Sequence, residues 1–205
     1  MKIIEGIKQK GRPFKIPDAN RDDLPEFFKE MGYKVGVEIG TDKGRYAERY
    51  GKAGLKLFCV DPWKYYEDYA HPQGQERLDV ICEATKERLK PYDITIIRKT
   101  SMEALADFED ESLDFVYIDG HHGFKYVTED IYEWSKKVKK GGVISGHDYA
   151  LGAHEGLRDP FVLHVKYVID AYTKAFHIDW FLLGSDEKKE GEKRDTFRSW
   201  LWFKQ

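Results

Sequence analysis

A chain of 205 residues is long enough for one α/β domain with a substantial core and leaves little room for a second of ordinary size. Its formal charge of -3, with acids and bases interspersed, sets up no long-range field for nucleic acid or an anionic membrane surface, so the default partner is a small or neutral molecule. No apolar stretch approaches the roughly 20 residues that span a bilayer, and Met1 to Lys10 mixes charge with apolar residues where a secretory signal has an apolar centre; the expectation is a cytoplasmic protein.

Residues 1–34 read as an N-terminal arm and a short helix ahead of a single domain over 35–205. The stretch to Asn20 is irregular, basic and Pro-containing, an arm that packs late or covers a site. An exposed aromatic arm of this kind is a candidate surface for a homodimer. Asp22, Asp23 and Pro25 ahead of Phe27, Phe28 and Met31 predict a short capped helix that stops at Gly32.

From Val35 short β-branched runs alternate with amphipathic stretches, the pattern of a parallel sheet covered on both faces. Strands are predicted over 35–39, 57–60, 94–97, 115–118 and 143–145, each without charge in its interior apart from Glu38. The clearest helix is 124–138, where Phe124, Val127, Ile131, Trp134 and Val138 recur at spacings of three and four. Lys139, Lys140, Gly141 and Gly142 then stop it, and the basic run complements the helix dipole without implying nucleic acid. A loop after Tyr149 leads to a helical pattern through Val165, Val168, Ile169, Tyr172 and Phe176. Strands over 177–183 and 197–203 enclose the hydrophilic run 185–195, a terminal hairpin that ends the parallel sheet with an antiparallel strand. Cys59 and Cys82 fall in a predicted strand and a predicted helix with no paired spacing, and read as small buried hydrophobes.

Glu38-Ile39-Gly40-Thr41-Asp42-Lys43-Gly44 sits where the first strong strand turns towards a helix. In an open α/β sheet ligands bind beyond the carboxyl ends of the strands; Gly40 lets the backbone approach a ligand and Gly44 lets the helix start close to it. Asp61, closing the next strand about 20 residues on, is where a carboxylate takes both hydroxyls of a ribose. The loop lacks Gly-x-Gly-x-x-Gly, and Asp42 with Lys43 would crowd or repel a pyrophosphate, which counts against an NAD-dependent oxidoreductase on the same sheet. A ligand with a ribose and an amino-acid end, positive on nitrogen and sulfur, tolerates Glu38 and Asp42 far better, and S-adenosylmethionine (SAM) has that charge pattern.

Val37-Glu38-Ile39-Gly40 with Gly44, Val60-Asp61-Pro62-Trp63, Asp114 to His122 and Gly141 to Tyr149 resemble the successive motifs of class I SAM-dependent methyltransferases. The likeness is greatest to small methyltransferases whose fourth strand ends in Ile-Asp-Gly-x-His. It implies a Rossmann-like, doubly wound, seven-stranded and mostly parallel sheet with a reversed last strand and helices on both faces. By that resemblance Glu38, Gly40 and Gly44 border the methionine end of SAM, Asp61 holds the ribose, Ser101 and Met102 lie near the adenine, and Asp119 faces the surroundings of the methyl group. Thr41 and Trp63, within the same motifs, complete the cofactor-binding set. Asp42 stands where the family's first motif has its middle glycine.

Asp119, His121, His122, His147 and Asp148 end the fourth and fifth predicted strands and form the constellation of greatest interest. Two roles are open. In the related catechol-type O-methyltransferases an acid after strand four and an acidic pair after strand five bind a divalent cation such as magnesium, which maps onto Asp119 and Asp148. Alternatively His122 or His147 is the general base, since imidazole titrates near neutral pH. The structural alternative is that His121 or His122 caps the following helix and Asp148 the next turn. Trp63, Tyr65, Tyr66 and Tyr69 either stack on the adenine, line an acceptor pocket or pack under a loop. The function expected is transfer of the SAM methyl group to an oxygen, with nitrogen second, of a small-molecule acceptor. The rivals are the NAD-dependent oxidoreductase and a non-catalytic SAM- or nucleotide-binding protein.

Overall fold

The computed structural model describes residues 1–66, 74–150, 163–184 and 197–205. The N-terminal residues form helix α1 (Ile3–Gly6) and strand β1 (Phe14–Ile16), followed by a 3-10 turn (Arg21–Asp23) and helix α2 (Leu24–Glu30). Then come β2 (Val35–Ile39), α3 (Ala47–Lys52), β3 (Lys56–Val60), α4 (Gln75–Leu89), β4 (Ile94–Ile97), α5 (Ser101–Ala104) and β5 (Leu113–Ile118). Helix α6 (Phe124–Lys137), β6 (Val138–Tyr149), α7 (Val165–Ala175), β7 (Phe181–Leu183) and β8 (Arg198–Phe203) complete the chain.

One sheet holds all eight strands in the order β1-β7-β8-β6-β5-β2-β3-β4, and β8 alone runs against its neighbours. The chain order reverses direction across the β5–β2 pair, so the crevice beyond the carboxyl ends of β2, β5 and β6 is the natural ligand position of a doubly wound sheet. Alternation along the strands divides the core between the two faces. Val37, Ile39, Val116 and Ile118 pack with Val127, Ile131 and Trp134, whereas Leu57, Cys59, Phe115 and Tyr117 pack with Phe28 and Tyr50.

The sheet has one strand more than the seven expected, because the arm read as irregular supplies β1, parallel to β7. Three edge residues carry no periodicity of their own; they become a strand because β7 offers an unpaired edge. Of the arm's aromatics, Phe27 and Phe28 are buried within this chain against Tyr50 and Phe115, whereas Phe14 and Tyr33 are partly exposed. The cap before α2 also differs from the sequence reading. Asn20 accepts the Asp22 amide at 2.8 Å, and Asp23 returns a bond to the Asn20 amide at 2.9 Å.

Helix α6 keeps the middle of its predicted stripe, since Val127, Ile131 and Trp134 are buried, but Phe124 is 55% exposed and Val138 already belongs to β6. Strand β7 starts later than expected because residues 176–178 are consumed in closing α7: the Phe176 and Ile178 amides bond to the Tyr172 and Thr173 carbonyls. The run 185–195 lies outside the described residues, as does Tyr69. No helix among the described residues is long and apolar enough to cross a membrane.

Candidate active site

At the carboxyl end of β2 the sheet ladder runs one residue past the strands. The Gly40 amide bonds to the Val60 carbonyl at 2.9 Å and the Asp119 amide to the Ile39 carbonyl at 2.8 Å. A Cβ on Gly40 would lie 2.2 Å from the Asp119 carbonyl oxygen, and φ is +88°, so only glycine fits between the two neighbouring strand ends. Asp42 adopts φ +46°, a left-handed conformation that favours glycine and that aspartate tolerates better than most side chains, which explains how an aspartate can stand there. Its carboxylate is 58% exposed and 3.5 Å from the Lys43 ammonium; the cradle uses its backbone.

That backbone is held from three sides. The Asp42 amide donates to Asp61 at 2.9 Å, and its carbonyl accepts from the Trp63 indole at 3.0 Å and from the Thr85 hydroxyl at 2.9 Å. The other Asp61 oxygen accepts the Trp63 amide at 2.8 Å. Burial pushes Asp61 above the usual carboxylate range while these amides pull it back. Trp63 is buried against Ile81 and Cys82, so it braces the cradle from behind, and its side chain presents no open face for stacking on an adenine. Gly44 packs against Thr85 and Leu89, and the helix it was expected to start begins only at Ala47.

Glu38 is 2% exposed on the same floor. Burial drives its pKa up to about 8, Asp119 and Asp61 add to the rise, and Thr41 and Cys59 partly offset it. Thr41 is buried beside Glu38, its hydroxyl turned to the carboxyl group whose rise it offsets. A buried hydroxyl beside a buried acid, above a glycine that nothing larger can replace, fits the polar methionine end of SAM. Further along, the Ser101 hydroxyl donates to Asp130 and accepts the Trp134 indole N–H at 2.7 Å. Met102 packs half-buried against the core.

The ends of β5 and β6 bring the predicted acid and imidazole groups together. His122 Nε2 lies 2.8 Å from Asp148 and 3.7 Å from Asp119, and His147 Nδ1 is 3.2 Å from the other Asp148 oxygen. Burial alone would depress His122, but the two carboxylates outweigh it and raise its pKa to about 9. Burial also opposes ionisation of Asp148, yet its two imidazoles hold it well below the usual range. Asp119 moves the other way: burial raises it against the pull of the histidines. Asp148 takes φ +61°, a strained conformation that aims its carboxylate between the two rings. His121 stands apart; its Nδ1 accepts the Gly123 amide at 3.0 Å and its ring packs on Tyr126, so it does cap the start of α6.

Three residues with notable partners lie outside the candidate site set read from the sequence. Arg21, from the arm, places a guanidinium nitrogen 3.6 Å from Asp119. Asp130, on the buried stripe of α6, is pushed up to about 7, chiefly by burial. Tyr149 follows Asp148 where the catechol-type pattern would have a second acid, and donates to Asp170 at 2.7 Å.

An open, doubly wound sheet whose strand-end crevice carries a buried carboxylate after β3 and an acid-imidazole cluster after β5 and β6 is an α/β architecture of the kind that binds nucleoside cofactors at its switch point. Residues 37–149 match the model of the methyltransferase domain family, and the chain belongs to that family, within the class I SAM-dependent fold. An uncharacterized protein, y4gI, of Sinorhizobium fredii is 29% identical over 58% of the chain, but the match spans only 13% of that relative's length. An O-methyltransferase from Bacillus cereus, solved with S-adenosylhomocysteine (SAH), superposes with TM-score 0.62 at 15% identity, covering 90% of this chain and 80% of that one. A putative O-methyltransferase from Klebsiella pneumoniae gives TM-score 0.65 at 14% identity, with the same coverage. At such identities the likeness is one of fold.

Proposed function

We propose that the chain transfers the methyl group of SAM to an oxygen of a small-molecule acceptor. The observation that carries this reading is the convergence of Asp119, His122 and Asp148, whose ligand atoms all lie within 4.8 Å of one another at the strand ends beside Gly40. In the transfer an acceptor oxygen forms a bond to the methyl carbon as the carbon–sulfur bond breaks. The sulfonium becomes the neutral thioether of SAH, and the hydroxyl proton leaves to the Asp119 carboxylate. Burial makes Asp119 a stronger base than an exposed carboxylate. His122, already paired to two acids, holds Asp119 and Asp148 in place, and His147 braces Asp148 from the other side. Alignment of oxygen, methyl and sulfur supplies the larger part, roughly 7 to 11 kcal/mol.

Two carboxylates and one imidazole are also a donor set that suits a divalent cation. Asp119, His122 and Asp148 would hold it, with His122 in place of the second acid of the catechol-type pattern. Such a cation would lower the pKa of the acceptor hydroxyl.

Calorimetric titration with SAM, SAH and NAD tests the reading. SAM and SAH bind and NAD does not; NAD binding alone overturns it. Asp61→Ala is expected to weaken SAM by about 1.5 to 3 kcal/mol, the worth of hydrogen bonds to a charged group. Transfer of labelled methyl to catechol, run with magnesium and after exhaustive chelation, decides the cation. Activity that survives chelation removes it and leaves proton transfer to Asp119.

A further inference from the structure

Trp63 adopts φ +39°, a left-handed conformation that a bulky side chain takes only when its surroundings hold it there. Its effect falls on Asp61. The conformation turns the Trp63 amide back onto one Asp61 oxygen at 2.8 Å and sends the indole N–H to the Asp42 carbonyl at 3.0 Å. The Asp42 amide in turn meets the other Asp61 oxygen at 2.9 Å, so both oxygens of the carboxylate are oriented by way of Trp63.

The hold on Trp63 comes through carbonyls. Arg98 follows the last residue of β4, and the Asp61 amide bonds to the Ile97 carbonyl at 3.2 Å, which brings Arg98 alongside the turn. Its guanidinium donates from Nε to the Pro62 carbonyl at 3.3 Å and from Nη2 to the Trp63 carbonyl at 3.1 Å. Gln75, the first residue of α4, gives the Trp63 carbonyl a second donor at 2.9 Å. One Asp79 oxygen accepts from both Gln75 and Arg98 and so aligns the two donors on that carbonyl. A rigid fork of N–H groups suits two successive carbonyls, whereas a lysine ammonium is a single point. The ion pair with Asp79 does not itself account for the arrangement, because its side chains are 40% and 49% exposed and such pairs contribute little.

We infer that Arg98 is a positioning residue of the cofactor site: by gripping the Pro62 and Trp63 carbonyls it keeps the Trp63 amide and indole where they orient Asp61 for the ribose. This rests on the transferase reading, in which Asp61 takes the ribose hydroxyls, and adds a residue that acts on the cofactor through Trp63 and Asp61.

The test is a double-mutant cycle, with SAH titrated calorimetrically into the wild-type chain, Arg98→Met, Asp61→Ala and the double variant. Arg98→Met is expected to weaken SAH about tenfold in the wild-type background, and by less than about twofold in the Asp61→Ala background, where the acid it serves is gone. An equal factor in the two backgrounds overturns the inference, because a general loosening of the fold does not depend on Asp61. So does an Arg98→Met chain that binds SAH as tightly as the wild type. If Arg98→Met does not fold, the same cycle is run with Gln75→Met, which removes the other donor to the Trp63 carbonyl, and the same outcomes decide. SAH that fails to bind the wild-type chain, or that binds Asp61→Ala unchanged, overturns the cofactor reading itself, and this inference falls with it.

Discussion

Ionising Glu38 where it lies, with Asp61 and Asp119 close by, costs more than keeping its proton, and its pKa near 8 expresses that balance. At neutral pH the group is therefore mostly protonated until a cation arrives. If the ammonium and sulfonium of SAM lie above it, binding ionises Glu38 and expels its proton. Calorimetry at pH 7 in buffers of different ionisation enthalpy is expected to show release of up to about one proton per SAM bound. Glu38→Gln abolishes the release; a buffer-independent enthalpy in the wild-type chain would remove Glu38 from the methionine end. Asp130 obeys the same rule without a ligand. Its folded pKa, about 7, lies above its ordinary value of 3.8, so the stability it contributes is fully present below about pH 4 and is lost as pH rises to 7. Asp130→Asn keeps an acceptor for Ser101 and cannot ionise. Relative to the wild-type chain it gains stability between pH 4.5 and 7.5, by an amount on the order of 1 to 3 kcal/mol, measurable as the difference between urea midpoints at the two pH values.

Among the elements, legibility followed how much of an element's reason lies in its own residues. The strands over 35–39 and 94–97 have their predicted bounds because short β-branched runs bounded by breakers leave little choice. The cluster of Asp119, His122, His147 and Asp148 was legible for a related reason: polar groups directly after buried strands mark the strand ends, and the sheet brings those ends together. Strand β1 and Arg21 were not, because an edge strand of three residues and a cation reaching across the crevice both arise from long-range packing. Helix α6 shows both cases. Its stripe was readable, but that Asp130 lies on the buried side depends on Ser101, carried by α5, and on Trp134 one turn further on. Trp134 thus fixes two elements at once. Trp134→Phe keeps most of the buried ring but withdraws the indole donor from the Ser101 hydroxyl. It is expected to cost about 1 to 3 kcal/mol by urea denaturation.

Over the whole molecule, the two halves of the sheet bear different loads. The candidate cofactor residues Glu38, Gly40, Asp61 and Asp119 lie at the ends of β2, β3 and β5, while β1, β7 and β8 extend the opposite edge and close the core that contains Ile16, Phe28 and Leu201. Ile16 is fully buried, and its side chain fills the space against Gly6 that ties α1 to β1. Ile16→Ala opens a cavity there and is expected to lower stability by about 2 to 5 kcal/mol. Perturbations this far apart with no shared partner are additive to within a few tenths of a kcal/mol. Saturating SAH at about 100 times its Kd adds some 2.7 kcal/mol to any chain that binds it only when folded. The variant and the wild-type chain should therefore gain the same increment from SAH in denaturant titrations, although the variant starts lower. A smaller increment in Ile16→Ala would mean that the edge strand helps to shape the cofactor cradle, and that the sheet transmits strain across its full width.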